Sequence, residues 1–123
     1  MTDTIIVSGG DIHSDFALDF LKKNIDQAGR KNIKLIAADR GLEFFIKAGI
    51  LPDTAVGDFD SLSQEGKDFL ESKKNDMEIV RLKPEKDDSD TQSAMNLAIG
   101  RGAKDIAILG VTGRRVDHLI ANF

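Results

Sequence analysis

Thr54-Ala55-Val56-Gly57-Asp58-Phe59-Asp60-Ser61-Leu62 is the stretch on which the fold turns. Its opening, Thr54-Ala55-Val56, is a short apolar run of the kind that forms a strand buried on both faces. Gly57 permits a sharp turn or a close approach of backbone to a ligand. Asp58 and Asp60 follow, two positions apart. In extended backbone they would project to the same side while Phe59 turns back toward a core. Carboxylates held side by side either share a proton or hold a cation between them. Open α/β sheets bind ligands at the carboxyl ends of their strands. There the fitting cation is Mg²⁺, which is held by one or two carboxylates and completed by phosphate oxygens and water. An Asp-x-Asp-Ser turn capped by its own side chains is the simpler alternative for this stretch alone.

Similar strands lie on either side. Upstream, Thr4-Ile5-Ile6-Val7 is a β-branched run ending in Ser8-Gly9-Gly10-Asp11, a tight turn whose N–H groups could face a phosphate. Residues 14–29 follow, with Phe16, Phe20, Leu21, Ile25 and Ala28 at helical spacing, a cap at Ser14 or Asp15 and a stop at Gly29. Residues 33–38 form a second strand running into Asp39-Arg40-Gly41, and residues 42–48 a short helix closed by Gly49. Asp39 reads equally as a site carboxylate or a helix N-cap.

Downstream, residues 63–74 make a surface helix anchored by Phe69 and Leu70, and residues 77–82 a fourth strand. Lys83-Pro84-Glu85-Lys86-Asp87-Asp88-Ser89-Asp90-Thr91 then leads into a helix carrying Ala94, Leu97 and Ala98. One or two acids at a helix N-terminus favour the helix dipole. Three within residues 87–90, with Lys83 and Lys86 upstream, exceed what capping needs and point to a metal or polyphosphate site. Residues 105–109 form the fifth strand, ending at Gly110-Val111-Thr112-Gly113-Arg114-Arg115. Val116, Leu119, Ile120 and Phe123 then fall at the spacing of one apolar helical face, which leaves Asp117 and His118 off the buried stripe. Two arginines after a glycine turn, at the start of that helix, would make an anion site.

The expected fold is therefore α/β: an open, mainly parallel sheet with helices on both faces, a Rossmann-like three-layer sandwich joined by right-handed crossovers. Such a sheet gathers Asp39, Asp58, Asp60, residues 87–90 and Arg114/Arg115 along one edge. Many acids facing a few bases across glycine turns is the composition of a metal–polyphosphate site. Neither the Gly-x-x-x-x-Gly-Lys-Ser/Thr phosphate loop nor the Gly-x-Gly-x-x-Gly dinucleotide turn occurs.

Composition narrows the classes. A length of 123 residues suits one domain, and 41% hydrophobic with 31% charged residues is globular composition. No apolar run approaches the roughly 20 residues of a membrane span, and no signal-peptide pattern opens the chain. Seventeen basic against 21 acidic residues, a net charge of −4, argue against a nucleic-acid partner. The absence of cysteine excludes disulfides and thiolate metal sites, favours oxygen ligands, and makes a cytoplasmic location the default expectation.

Four stretches together resemble the thiamine pyrophosphokinase family: Ala37-Ala38-Asp39-Arg40-Gly41, Gly57-Asp58-Phe59-Asp60-Ser61, Lys86-Asp87-Asp88-Ser89-Asp90-Thr91 and Gly110-Val111-Thr112-Gly113-Arg114-Arg115-Val116-Asp117-His118. Each is a modest signal, and their order and spacing make them specific. The resemblance implies transfer of a pyrophosphoryl group from ATP to the hydroxyethyl oxygen of thiamine, giving thiamine diphosphate and AMP. It implies Mg²⁺ on Asp58, Asp60, Asp87 and Asp90, with Asp39 near the reacting groups. Nucleotide contacts would come from Gly9, Gly10, Asp39, Arg40, Gly41, Thr112, Gly113, Arg115, Asp117 and His118. Arg40 and Arg114 each stand where the family often has glycine. The family continues into a β-sandwich domain that helps build the thiamine pocket across a homodimer. This chain ends at Phe123, so residues 1–123 resemble the ATP- and Mg²⁺-binding catalytic domain alone, expected to bind nucleotide yet turn over poorly.

Other readings fit less well. A non-catalytic nucleotide- and metal-binding α/β module is the main alternative. A haloacid-dehalogenase-type phosphatase would carry its Asp-x-Asp after the first strand, where Ser8-Gly9-Gly10 stands. A receiver domain would need an acidic pair after strand one and a lysine after strand five, and Asp11 is alone while Gly110 occupies the latter region.

Overall fold

The computed structural model describes residues 2–8, 14–38, 40–59, 62–81, 90–109 and 116–120, with backbone alone for 14, 15, 90, 91 and 116–120. Strands β1 (Thr4–Ser8), β2 (Lys34–Ala38), β3 (Thr54–Gly57), β4 (Glu78–Arg81), β5 (Asp105–Leu109) and β6 (Val116–Ile120) form one sheet in the order β4-β3-β2-β1-β5-β6. The first five pair in parallel, and β6 runs antiparallel to β5. Between them come α1 (Ser14–Ala28), α2 (Gly41–Ala48), α3 (Gln64–Lys73) and α4 (Asp90–Gly100). The doubly wound α/β architecture expected from the strand and helix pattern is the one observed.

Strand alternation divides the core into two layers. Ile5, Val7, Leu35, Ala37 and Ala55 pack with Ala17 and Leu21 of α1, Leu42 and Phe45 of α2, and Leu70 of α3. Ile6, Ile36, Ala38, Val56, Ile106 and Ile108 pack with Ala94 and Ala98 of α4. Three helices thus cover one face and one covers the other, for a geometric reason. The chain steps from β1 outward to β4 in one direction, then returns past β1 to add β5. Right-handed crossovers place the connecting helix on opposite faces when the direction of travel reverses. Alanines at the inward positions of α4 let that single helix lie close to three strands.

The end of the chain differs from expectation. The periodicity from Val116 onward predicts a helix, yet Val116–Ile120 is a strand registered from Leu109↔Val116 to Asp105↔Ile120. Five residues with β-branched ends fit either period. The unpaired edge of β5 decides between them, because a strand there satisfies backbone groups that a helix would leave to solvent. The fourth strand begins at Glu78, one residue after the expected start at Met77, and the expected end at Leu82 lies outside the described residues.

Candidate active site at the carboxyl edge of the sheet

Parallel pairing brings the carboxyl ends of β1 to β5 to one edge, so the segments that follow Ser8, Ala38, Gly57, Arg81 and Leu109 share it. Neighbours β3 and β4 then part: β3 leads to α3 on the three-helix face, and β4 leads to α4 on the other. Where connections diverge in this way, doubly wound sheets have the crevice in which they bind ligands. Asp58, directly after β3, stands at this crevice and is partly buried. The carboxyl end of α4 is tied to the opposite edge, where Arg101 Nη1 and Nη2 donate to Glu78 Oε1 and Oε2 at 2.5 and 2.7 Å. The Asp90 end of α4 therefore faces the same edge as Asp58, with the positive end of the helix dipole turned toward it.

The backbone at Phe59, between the two acids, is not the extended one expected from an i, i+2 alternation. The strand stops at Gly57 (φ 149°), and Phe59 adopts φ 66°. That left-handed conformation costs an L-residue about 1–2 kcal/mol. Phe59 does point into the core, as expected, at 3% exposure, but the turn rather than a continuing pleat puts it there. Its carbonyl accepts a hydrogen bond from the Leu62 N–H at 3.3 Å. The Arg81 guanidinium lies 5.6 Å from the centre of its ring.

Glu43 joins two of the segments that line the edge. Its Oε1 accepts from the Ser63 N–H at 3.0 Å, and its Oε2 lies 3.8 Å from Arg40 Nε. Hydrogen bonds from Ser63, aided by the charges of Arg40 and Lys47, outweigh burial and hold the Glu43 carboxyl below its ordinary range. Ser63 in turn caps α3, its hydroxyl accepting from the Gly66 N–H at 3.2 Å. Sequence reading missed Glu43 because nothing marks a single glutamate within a helix. Arg40 occupies the N-cap position of α2 without a side-chain capping bond, and its side chain is exposed. Gly41 is buried because there is no room for a side chain, since a Cβ there would sit 1.9 Å from the Val7 carbonyl oxygen.

Other predicted site residues are placed only in part. Asp39, Asp60, Asp87, Gly9, Gly10, Thr112, Gly113, Arg114 and Arg115 lie outside the described residues, and Asp90 is described by its backbone as the first residue of α4. Asp117 and His118 belong to β6, paired with Ile108 and Ala107. The anion site expected at a helix start after Arg115 has no helix to supply it, because the element that follows is β6. His118 lies two strand positions in from Val116, which is about 7 Å from the carboxyl edge.

Among the described residues no three His, Asp or Glu side chains converge closely enough to hold a metal ion. Of the carboxylates expected to hold a metal, Asp58 alone is described with its side chain, an oxygen donor of the kind that suits a hard divalent cation. A cavity of about 500 Å³ opens at the opposite, amino edge of the sheet, between Asp3, Lys34, Thr54, Glu78 and Arg101. Within it Arg101 is paired with Glu78, and it lies away from the strand ends where this architecture binds ligands. No helix among the described residues is long and apolar enough to cross a membrane.

Comparison with known proteins agrees with this arrangement. Residues 25–123 match the family described as thiamin pyrophosphokinase, catalytic domain. The thiamine pyrophosphokinase of Bacillus subtilis (strain 168) is 33% identical over 87 residues, covering 71% of this chain and 40% of that protein. The crystal structure of thiamin pyrophosphokinase from Geobacillus thermodenitrificans superposes with a TM-score of 0.66 at 27% identity, over 91% of this chain and 48% of that one. A thiamin pyrophosphokinase family protein from Enterococcus faecalis gives 0.64 at 29% identity, over 93% and 49%. The chain thus spans about half the length of the relatives it matches. With this match across most of its length, the chain belongs to the thiamin pyrophosphokinase catalytic-domain family.

Proposed function

We propose that the protein transfers a pyrophosphoryl group from ATP to the hydroxyethyl oxygen of thiamine, giving thiamine diphosphate and AMP. The observation that carries this reading is the family match over residues 25–123, on a sheet whose diverging β3 and β4 open a crevice at Asp58. In the reaction the thiamine hydroxyl oxygen bonds to the β-phosphorus of ATP. The bond from that phosphorus to the oxygen bridging the α-phosphate breaks, AMP leaves with the electron pair, and the hydroxyl proton passes to a carboxylate of the crevice or to water. Such chemistry asks a protein mainly to align nucleophile and phosphorus and to neutralise charge.

Asp58, Asp60, Asp87 and Asp90 would hold Mg²⁺ on the triphosphate. When bound, the ion would neutralise phosphate charge that carboxylates alone repel. Asp39 would stand beside the reacting groups. Gly9, Gly10, Arg40, Gly41, Thr112, Gly113, Arg115, Asp117 and His118 would contact the nucleotide. Support for the oxygen-ligand set comes from the cysteine-free composition and the position of Asp58. The same reading takes residues 1–123 as the catalytic unit. The family's thiamine-binding β-sandwich is not among residues 1–123 in this reading, and a homodimeric arrangement and a cytoplasmic setting belong to it as well.

The test is AMP formation from Mg²⁺-ATP with and without thiamine. AMP that appears only with thiamine is the expected result. Mg²⁺-dependent ATP binding without turnover would favour a nucleotide-binding module, a second reading that the half-length match to relatives keeps in view. Neither turnover nor binding would overturn both.

A further inference from the structure

Phe59 is the one non-glycine residue with a positive φ among the described residues, and it stands between two carboxylates of the proposed metal site. Glycine or asparagine would adopt φ 66° at less cost, so a phenylalanine here is explained by its side chain rather than its backbone. That side chain is held from several directions. Its ring is buried in the three-helix layer with Leu62 and Leu70. The Arg81 guanidinium, from the last residue of β4, lies over the ring at 5.6 Å, within the range of a cation–π contact. The Phe59 carbonyl accepts from the Leu62 N–H, which closes the turn just before α3. A left-handed residue persists only where its surroundings over-determine it, and here packing from below and a cation on the ring do so together.

Resting on the pyrophosphoryl-transfer reading, we infer that Phe59 is a positioning residue for the metal–triphosphate site, an aromatic peg clamped by Arg81. The peg couples the rotation of the turn from Gly57 to Phe59 to the core, and so sets the direction in which Asp58 leaves the backbone. Glycine in its place would permit the same turn without fixing it. The ring therefore acts on ligand geometry through its neighbours and touches neither metal nor substrate.

The experiment measures Mn²⁺ affinity, by water-proton relaxation enhancement, on the intact protein and four variants whose unfolding is recorded in parallel. Phe59→Gly is expected to weaken Mn²⁺ binding by about 10- to 100-fold, the usual effect of losing a group that orients metal ligands. Phe59→Leu, which keeps an apolar peg, is expected to retain most of the affinity. Arg81→Gln, at an exposed position, is expected to give a smaller loss with the fold intact. Leu21→Ala, a cavity in the same layer beneath α1, is expected to lower the unfolding midpoint and leave Mn²⁺ affinity unchanged. Folded Phe59→Gly protein with undiminished affinity would overturn the inference, as would an equal loss in Leu21→Ala. Should Phe59→Gly fail to fold, unchanged affinity in Arg81→Gln would overturn it instead. An unmodified protein that binds no Mn²⁺ would sink the metal reading first and this inference with it, a failure visible before any variant is compared.

Discussion

The Glu43 carboxylate accepts the Ser63 N–H at 3.0 Å, and through that bond helix α2 holds the segment that links the acid turn to α3. The same carboxylate faces Arg40 at 3.8 Å, so one side chain spans the segments that follow β2 and β3. Glu43→Gln keeps an acceptor oxygen and loses the charge, and is expected to lower stability at neutral pH by about 1 kcal/mol, the difference in scale between a charge-assisted and a neutral hydrogen bond. The sign of its pH dependence follows from the lowered carboxyl. A group whose folded-state pKa is depressed contributes stability that is full above its ordinary value of 4.5 and is lost as pH falls through the folded value. The stability gap between the parent and Glu43→Gln should therefore be widest near pH 7 and close below pH 4.5. Thermal midpoints of both proteins across that range check it, and a gap that persists under acid would refute it.

Gly41 tests packing against conformational freedom. A Cβ at Gly41 would meet the Val7 carbonyl at 1.9 Å, whereas one at Gly49 would meet nothing within 4 Å although φ there is 70°. Gly41→Ala should cost about 1–3 kcal/mol or more through overpacking against β1 backbone. It should also weaken ATP binding, because α2 must back away and carry Arg40 with it. Gly49→Ala should cost about 1 kcal/mol through its left-handed backbone and leave ATP binding as it was. Urea unfolding with ATP titration separates the two. Equal behaviour of both variants would contradict this account.

Arg101 and Glu78 tie the end of α4 to the start of β4, far from the crevice. Their side chains are 51% and 46% exposed, so water and salt screen the pair despite its two-point geometry. Arg101→Ala is expected to lower stability by about 0.5–1 kcal/mol at low salt and by less at high salt, with no change in the KM for ATP. Activity falling as steeply as for a crevice residue would show that α4 does more than close the far edge.

How much of this was legible beforehand depends on whether the signal is local. Thr4-Ile5-Ile6-Val7 and Asp105 to Leu109 declare buried strands in their own residues, and Gly29 and Gly49 mark helix ends that the structure keeps, at φ 86° and 70°. Asp58 at the end of β3 was legible in the same way. Val116–Ile120 was not, because its period is ambiguous and the free edge of β5 settles it from a distance. Glu43 and Arg81 were invisible for a related reason. Each acts through a partner far off in sequence, Ser63 and Phe59, which only the sheet order brings near. The left-handed turn at Phe59 was hidden because phenylalanine is an unexpected residue for that conformation.

Asp58 carries the strongest prediction about chemistry. It follows β3 directly, next to the strand whose chain departs to the other face, at the edge where the proposed reaction would bring phosphate charge. Asp58→Asn keeps the size and hydrogen-bonding shape of the side chain and removes only the charge. If Asp58 helps hold a cation on the triphosphate, thiamine-dependent AMP formation should fall by about a hundredfold or more, in line with the loss of one electrostatic stabiliser from a transition state. Raised Mg²⁺ should restore part of the rate, because the remaining carboxylates still attract the ion. A capping role would behave differently: asparagine caps turns as well as aspartate does, so activity and Mg²⁺ dependence would both survive the change. The Mg²⁺ dependence of the Asp58→Asn rate thus separates a ligand from a turn former at the position around which the strands are arranged.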